Sequence, residues 1–302
     1  MDYSMMQETV TILIASYQSG NDLKVAVEST LAQDYPRKEL IICDDGSDEA
    51  ITVDLLNQFS AQGIRIVRQK VNRGTVRNLN AGLRCSEGQW VITLAADDRF
   101  KTIHSITQLV SEAYDTQAQW VVGRTELVGC ENVWIDKSPI EDIESNTNPY
   151  AFFETLCYSC WLPSSGNLYR RSFLEQFGLY DERYYLVEDW PLFLKAARSR
   201  HSPRRLDKIT IVRKKDGVSN KKAQVNFKYQ TDLIEIMEKE ILPYLDLLPS
   251  EVQKKIYRRC KDKEQIFQYR FYKKTPFEKM IWFIEHPMVI FRRLLERLKN
   301  ND

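Results

Sequence analysis

The sequence predicts an α/β fold, in which helices flank a mostly parallel sheet and a helical extension follows at the C-terminus. Short apolar runs of strand length alternate with amphipathic helical patterns through the first two thirds of the chain. Acidic residues follow several of the strand-like runs, and helical patterns with few turn signals continue after about residue 220. We therefore expect an α/β domain over residues 1–218 and an α-helical region over residues 219–302.

The predicted strands are short runs rich in Val, Ile and Leu, beginning with VTILIASY at Val10–Tyr17. Helical patterns with apolar residues three or four positions apart separate these runs and make crossover helices the expected connections. One such pattern carries Ile51, Leu55 and Phe59 on a single face. The further strand predictions cover residues 40–43, 64–67, 90–96, 120–122 and 205–213.

Composition narrows the class of protein. The chain has 302 residues, 43% of them hydrophobic, and a net charge of +1, so nothing in its charge indicates a nucleic-acid partner. No N-terminal signal peptide and no apolar run long enough to span a bilayer is visible, so a cytoplasmic location is expected. Cys157 and Cys160 form a single CxxC-like pair, for which buried thiols are a better interpretation than a zinc site.

Polar side chains follow three predicted strands at the point where each strand ends: Tyr17, Asp44, Asp45, Asp97 and Asp98. Because the carboxyl ends of parallel strands meet at one edge of a sheet, we expect these side chains to share one site. Carboxylates there can hold a hard divalent cation, which in turn can hold a diphosphate. The pattern indicates a nucleotide-dependent transferase.

Three segments resemble the family-2 glycosyltransferases, which have the GT-A fold. They are TILIASYQSGNDLKVAVESTLAQDYPRKELIICDDGSDE, VNRGTVRNLNAGLRCSEGQWVITLAADD and SSGNLYRRSFLEQFGLYDERYYLVEDWPLFLKAA, in that order from residue 11 to residue 197. The resemblance implies an inverting transfer of a sugar from a nucleotide-diphosphate sugar, with UDP-sugars favoured. The implied acceptor is a hydroxyl of a glycan or lipid-linked saccharide, in bacterial surface polysaccharide synthesis.

The resemblance also implies roles for the first strand-end residues. Tyr17 would stack on the nucleobase, and Asp45 would accept a hydrogen bond from the base ring or from a ribose hydroxyl. Asp44 would do the same or would cap the DDGSD loop, which is an Asx-turn sequence. Arg77 would neutralise the diphosphate, since a guanidinium binds phosphate in a bidentate manner.

Asp97 and Asp98 resemble the end of the family's DxD-type motif, which implies bound Mg²⁺ or Mn²⁺ and a ribose contact. Ala95 stands where that motif often has its leading Asp, which weakens the expectation of a metal site built from carboxylates. Lys215 stands where the family often has a His. We hypothesise that Arg213 or Lys215 contacts the diphosphate and makes transfer less dependent on metal.

Asp189 resembles the family's catalytic base, with Glu188 beside it. An inverting transfer needs one carboxylate that takes the proton from the acceptor hydroxyl. The alternative interpretation is that the two acidic residues only stabilise the start of a helix. Gly166 and Asn167 match a loop that approaches the donor sugar, where a glycine permits close backbone approach.

The C-terminal region has two interpretations. Residues 251–302 contain 14 Lys and Arg against 7 Asp and Glu, with interleaved aromatic residues. Either these helices pack on the catalytic domain with a solvated basic face, or they contact the inner face of an anionic membrane. A homodimer contact through the same helices is a further expectation.

Other function classes are less well supported. A dehydrogenase or a nucleotidyltransferase would need a glycine-rich phosphate loop after the first strand, and ASYQSGND does not provide one. A catalytically impaired nucleotide-sugar-binding protein of GT-A fold stays open as the alternative, because of Ala95 and Lys215.

Overall fold

The computed structural model describes residues 7–128, 134–135, 148–214 and 227–271, with only the backbone of 134–135 and 265–271. The chain divides into two compact units, Met1–Gln224 and Val225–Asp302. The domain boundary predicted after residue 218 lies outside the described residues and stays a prediction.

The first half of the first unit alternates strands and helices in the predicted order. Successive side chains of a strand point to opposite faces of the sheet. Because helices cover both faces, continuous apolar runs form these strands. The elements are β1 (Val10–Ser16), α1 (Gly20–Leu31), β2 (Lys38–Asp44), α2 (Ala50–Ala61), β3 (Arg65–Arg68), α3 (Thr75–Cys85) and β4 (Trp90–Ala95).

The second half of this unit departs more from the predicted pattern, because short strands interrupt it. The elements are β5 (Arg99–Phe100), α4 (Ser105–Thr116), β6 (Trp120–Val128), β7 (Trp134–Ile135), α5 (Ala151–Tyr158), β8 (Asn167–Arg170), α6 (Arg171–Gln176), α7 (Asp189–Arg198) and β9 (Arg204–Lys214). The segment from Gly166 was expected to be a loop, but Asn167–Arg170 is a strand inside the sheet.

Within the described residues, nine strands form one sheet in the order β3-β2-β1-β4-β8-β6-β9-β5, with β7 paired to β6. The first four run parallel to one another, and β6 and β9 are also parallel. Strand β8 lies antiparallel between β4 and β6. The prediction of a mostly parallel sheet flanked by helices is therefore confirmed.

The register of the central strands places their carboxyl ends side by side. Ser16 lies opposite Asp44 on one side, and Ala15 lies opposite Ala95 on the other. The strands themselves are fully enclosed, with Ile12, Ile14 and Ile92 at zero exposure in the core. The residues that follow β1, β2 and β4 therefore leave the sheet together, at one edge.

The second unit is helical, with a change of helix type that the sequence pattern did not predict. The helical patterns after residue 220 indicated helices without a change of type, whereas α8 (Phe227–Ile236) continues as a π-helical turn (Met237–Ile241) and a 3₁₀-helix (Leu242–Leu247). Pro243 cannot donate a backbone hydrogen bond, which disfavours a continuous α-helix. Helix α9 then covers Ser250–Phe271. In the part of the chain that is described, no helix is long and apolar enough to cross a bilayer.

Candidate active site

The loop after β1 presents Tyr17 to solvent. Its side chain is 49% exposed although it follows a buried strand. Hydrogen bonds hold this loop to the one after β2: the backbone N–H of Gln18 donates to Ser47 Oγ at 3.0 Å, and Gln18 Oε1 accepts from the N–H of Glu49 at 2.8 Å. An exposed aromatic ring on a fixed loop is available to stack on a planar ligand.

Asp44 caps its own loop. Its Oδ2 accepts from the backbone N–H of Ser47 at 3.0 Å, and its Oδ1 accepts from Ser47 Oγ at 2.5 Å. The guanidinium of Arg68 lies 3.3 Å from Oδ2. These contacts are those that the capping interpretation of Asp44 describes, and its nucleotide-binding role stays a prediction.

Asp45 fixes the loop that begins α3. One carboxylate oxygen accepts from the backbone N–H of Arg73 at 2.7 Å, and the other accepts from the N–H of Gly74 at 2.8 Å. Gly74 has φ = 90°, and Tyr185 lies so close that an added Cβ would overlap its carbonyl oxygen. The start of α3 is thus held by a buried carboxylate on one side and by the 180–187 loop on the other.

Arg77 lies exposed on the first turn of α3, with 44% of its side chain accessible. Its Nε is 3.8 Å from a carboxylate oxygen of Glu182, and Arg84 approaches the same carboxylate at 2.5 Å. The hydrogen bond from Arg84 is the main reason that the pKa of Glu182 lies below its ordinary value. Glu182 therefore joins the 180–187 loop to α3 while leaving much of the Arg77 guanidinium open to a ligand.

Asp97 and Asp98 form the turn at the end of β4, and their environments differ. Asp97 is partly exposed, whereas Asp98 is only 4% exposed. The backbone N–H of Asp98 donates to Ala95 at 3.0 Å, so that Ala95 contributes its carbonyl to the turn. Asp97 is consequently the carboxylate that faces outward.

The carboxyl group of Asp98 is engaged by three neighbours. It accepts hydrogen bonds from the Ser165 hydroxyl and the backbone N–H of Lys214, and Arg213 Nε lies 3.6 Å from Oδ2. Burial raises the pKa of Asp98 to about 6, against the opposing effect of Arg213. Asp98 thus links the end of β4 to the end of β9.

The strand-end residues of the described structure offer few ligands for a divalent cation. No cluster of three or more His, Cys, Asp or Glu side chains exists among the residues that the structure describes. Mg²⁺ is commonly held by one or two carboxylates together with substrate phosphates and water. Asp97 can serve as such a ligand, whereas Asp98 is already shared among its protein partners.

Gly166 and Asn167 lie at the start of β8, next to the turn of β4. Gly166 has φ = 82°, its N–H donates to the Thr93 carbonyl at 2.8 Å, and an added Cβ would overlap Ile211. The Asn167 side chain is fully buried: Oδ1 accepts from the Trp120 indole at 2.9 Å, and Nδ2 donates to the Pro163 carbonyl at 2.6 Å. Asn167 therefore shapes the loop with an amide that has protein partners.

Asp189 begins α7, immediately after the 180–187 loop and Glu188. Its Oδ1 accepts from the backbone N–H of Trp190 at 2.7 Å, and the Cys160 thiol lies 3.8 Å from Oδ2. No side-chain hydrogen bond from Glu188 caps the helix. Burial raises the pKa of Asp189, and Arg213 acts in the opposite direction.

Arg213 lies near both acidic groups of the site. It is ion-paired with Asp98, and its charge also acts on Asp189. Its Nε is buried and makes no hydrogen bond within the described structure. The Arg213 guanidinium therefore pairs with the carboxylate at the end of β4 and acts electrostatically on the carboxylate that begins α7. Lys215 lies outside the described residues.

Several residues of the site carried no signal in the sequence. Ser165 and Arg68 reach the acidic residues across the sheet edge, and neither spacing nor motif predicts those contacts. The contact of Ser47 with Asp44 is different, because it lies within the DDGSD Asx-turn sequence. Cys160 contacts Asp189 over a separation of 29 residues. Such contacts depend on the strand order, which the sequence pattern alone did not provide.

Comparisons with solved structures agree with the fold. The chain resembles S. aureus TarS in complex with UDP-GlcNAc, with a TM-score of 0.64 and 17% identity over 91% of this chain and 78% of that one. It also resembles the mannosyltransferase PcManGT of Pyrobaculum calidifontis in complex with GDP-Man and Mn²⁺, with a TM-score of 0.56 and 13% identity over 93% and 75%. The predicted GT-A fold is confirmed.

Curated relatives are glycosyltransferases. An Escherichia coli β-1,3-glucosyltransferase, WfaP, which by its name uses UDP-Glc, is 31% identical over 34% of this chain and 40% of its own length. An uncharacterised Bacillus subtilis glycosyltransferase, YwdF, is 26% identical over 76% of this chain and 83% of its own. The chain spans 40%, 52% and 34% of the first curated relatives that it matches.

A family model described as glycosyl transferase family 2 matches residues 11–178, more than half of the chain. That region contains the strand ends with Tyr17, Asp45 and Asp97, and it stops before Asp189. The chain therefore belongs to glycosyltransferase family 2.

Proposed function

We propose that the protein transfers a sugar from a UDP-sugar, with inversion, to a hydroxyl of a glycan or lipid-linked saccharide. The observation that carries the proposal is the ion pair of Arg213 with Asp98 at the strand ends, together with the electrostatic effect of the same guanidinium on the partly exposed Asp189. The UDP-Glc in the full name of WfaP and the UDP-GlcNAc bound to TarS support a UDP-sugar donor. Relatives named for succinoglycan and poly-N-acetylglucosamine synthesis support a role in surface polysaccharide assembly.

The nucleotide would bind along the loops that follow β1 and β2. Tyr17 offers an exposed ring for the base, and Asp45 shapes the loop beneath it. Arg77 and Arg213 would neutralise the diphosphate, since Arg77 is an exposed guanidinium and Arg213 carries its positive charge beside the Asp98 turn. In this proposal Gly166 and Asn167 shape the wall beside the donor sugar.

A divalent cation, when bound, would neutralise negative charge on the departing diphosphate. Asp97 is the residue that we propose as its ligand, because its carboxylate faces outward. Asp98 would hold the turn in place through Ser165 and Lys214. Arg213, together with Lys215 if that residue reaches the site, would carry part of the same charge and reduce the need for metal.

Asp189 is the proposed catalytic base, with Glu188 beside it. The acceptor hydroxyl oxygen would form a bond to the anomeric carbon of the sugar while the bond from that carbon to the phosphate oxygen breaks. The hydroxyl proton would pass to Asp189, whose raised pKa makes it a better base than a solvated carboxylate. The nucleoside diphosphate would leave with the electron pair of the broken bond.

The decisive experiment measures release of nucleoside diphosphate from UDP-, GDP- and dTDP-sugars, with and without Mn²⁺. We expect release from a UDP-sugar by the wild type. Because general-base catalysis contributes about 10²- to 10⁴-fold, Asp189→Asn should reduce the rate by that factor while UDP binding persists.

Asp115→Asn provides the matched control, since Asp115 is an exposed residue of α4 and its replacement should change nothing. Activity of Asp189→Asn equal to that of the wild type would remove Asp189 from its proposed role. UDP binding without release from any donor, even with glycan and lipid-linked acceptors supplied, would favour the alternative of an impaired nucleotide-sugar-binding protein.

A further inference from the structure

A second concave site lies at the opposite edge of the sheet from the candidate active site. It is a cavity of about 290 Å³ lined by Trp90, Tyr114, Gln117, Gln119, Arg170 and Ser172. Trp90 is the first residue of β4, whereas Asp97 follows the last one. At about 3.3 Å per strand residue, the two sites are roughly 20 Å apart.

A partly exposed ionic hub builds one wall of this cavity. The carboxylate of Glu8 accepts from the Trp90 indole at 2.8 Å and from the Tyr114 hydroxyl at 2.6 Å, and it forms a two-pronged ion pair with Arg170. The Arg170 guanidinium lies 4.8 Å from the centre of the Trp90 ring. These contacts hold the side chains of the hub in place, and the charges of Glu8 and Arg170 neutralise each other.

Polar groups remain available around the hub. Gln117, Gln119 and Ser172 are exposed, and within the described structure their side chains make no hydrogen bond with the protein. Arg170 uses two of its nitrogens on Glu8 and retains further N–H donors, since a guanidinium has five. The cavity therefore offers both donors and acceptors at its rim.

The combination of groups selects a class of ligand. The partly exposed Tyr114 ring lies 6.3 Å from the buried Trp90 ring and, with Ala118, provides an apolar surface beside amide, hydroxyl and guanidinium groups. An anion would gain little, because Glu8 already neutralises Arg170. A purely apolar ligand would leave the amides and the guanidinium without partners. A neutral molecule with many hydroxyl groups satisfies both kinds of surface.

We propose that this cavity binds a neutral sugar unit, and that the unit belongs to a part of the glycan acceptor remote from the reacting hydroxyl. The volume lies at the small end of the range for ligand sites, about 300–1,000 Å³, which favours a single sugar ring. The acceptor role rests on the proposed function, whereas binding of a sugar by the cavity is independent of it.

The test uses saturation-transfer NMR with the methyl glycosides of glucose, galactose, N-acetylglucosamine and rhamnose. One variant, Gln119→Ala with Ser172→Ala, removes the side chains that would form hydrogen bonds at the rim. Another, Ala118→Trp, fills the cavity, because Ala118 also lines it. Because each lost hydrogen bond is worth about 1 kcal/mol, we expect at least about tenfold weaker binding in the first variant. The filled variant should lose the signal.

The matched control is Gln58→Ala with Ser60→Ala, which makes the same changes on the exposed face of α2 and should bind like the wild type. Absence of a signal for every glycoside on the wild type would overturn the proposal, as would a signal that persists in both cavity variants. Thermal unfolding of each variant shows whether it is folded.

Asp189→Asn separates this proposal from the proposed function. It should keep the glycoside signal and lose transfer. If Asp189→Asn keeps the glycoside signal and transfers sugar as fast as the wild type, only the proposed catalytic base is contradicted. If Asp189→Asn loses transfer but the wild type shows no glycoside signal, only the cavity site is contradicted.

Discussion

Gly74 shows how one residue can be required for two separate physical reasons. Its φ of 90° is strained for any residue with a Cβ, and the same Cβ would overlap the carbonyl oxygen and ring of Tyr185. Gly63 has a similar φ of 84° but has nothing within 4 Å of an added Cβ. Gly63 therefore has a positive φ with free space for a Cβ, whereas Gly74 has a positive φ and no space for one.

We expect Gly63→Ala to lower the free energy of unfolding by about 1 kcal/mol, the usual cost of a positive φ. Gly74→Ala should cost about 3 kcal/mol or more, since its φ of 90° and ψ of 157° lie in a region essentially restricted to glycine, and the steric overlap adds to that strain. Urea denaturation of both variants measures the difference. Equal losses in the two would mean that the 180–187 loop yields easily to the methyl group.

Glu8 acts at the level of elements, because it joins the segment before β1 to β4, α4 and β8. Its partners Trp90, Tyr114 and Arg170 each belong to a different one of those elements. Burial raises the pKa of Glu8, but the hydrogen bonds from Arg170 and the two aromatic side chains outweigh it and hold the pKa below 4.5. The ionised form is therefore the one that stabilises the fold.

We expect Glu8→Gln to lower the free energy of unfolding by about 1–2 kcal/mol at pH 7, a range reduced for partial solvent exposure. A carboxyl group whose pKa is lowered in the folded protein stabilises the fold at pH values above its ordinary pKa. That stabilisation is lost as the pH falls through the folded-state pKa. The gap between variant and wild type should thus narrow as the pH falls below about 5.

Urea denaturation across this pH range checks the prediction. Glu175→Gln, an exposed change on α6, is the control and should show no such gap. A gap for Glu8→Gln that stays constant down to pH 3 would contradict the ionic origin of the effect.

The elements that the sequence predicted are those with a complete local pattern. Strands β1, β2 and β4 are apolar runs with clear ends, and α3 carries Val76, Leu79 and Leu83 at helical spacing. Strand β8 was missed because four residues contain too few alternations to distinguish a strand from a loop. Its place between β4 and β6 depends on pairing over long sequence separations, as do the contacts of Asp98 with Ser165 and Arg213.

At the scale of the whole molecule, each of the two units has buried side chains of its own. The first is built on the sheet, and the second buries Ile236, Ile241 and Ile256 among its helices. Helix α9 also carries exposed basic residues, including Lys255 and Arg258. We propose that this face contacts anionic lipid, as the basic composition of the C-terminal region suggested.

Charge reversal tests the membrane contact in the full chain. Because each basic residue near an anionic surface contributes about 1 kcal/mol, Lys255→Glu with Arg258→Glu should weaken binding to phosphatidylglycerol vesicles by at least about tenfold. The control is Lys24→Glu with Lys208→Glu, an equal charge change on the first unit. Equal vesicle binding by all three proteins, or equal binding to neutral vesicles, would contradict the proposal.

The carboxylate of Asp45 occupies two backbone N–H groups, those of Arg73 and Gly74, immediately before α3. Many nucleotide-binding proteins grip phosphate with such amides at the start of a helix. Here an internal anion takes two of them, so a bound diphosphate would depend more on flexible cationic side chains. Attraction of that kind weakens as salt rises. In the proposed function, nucleotide affinity should therefore respond strongly to ionic strength.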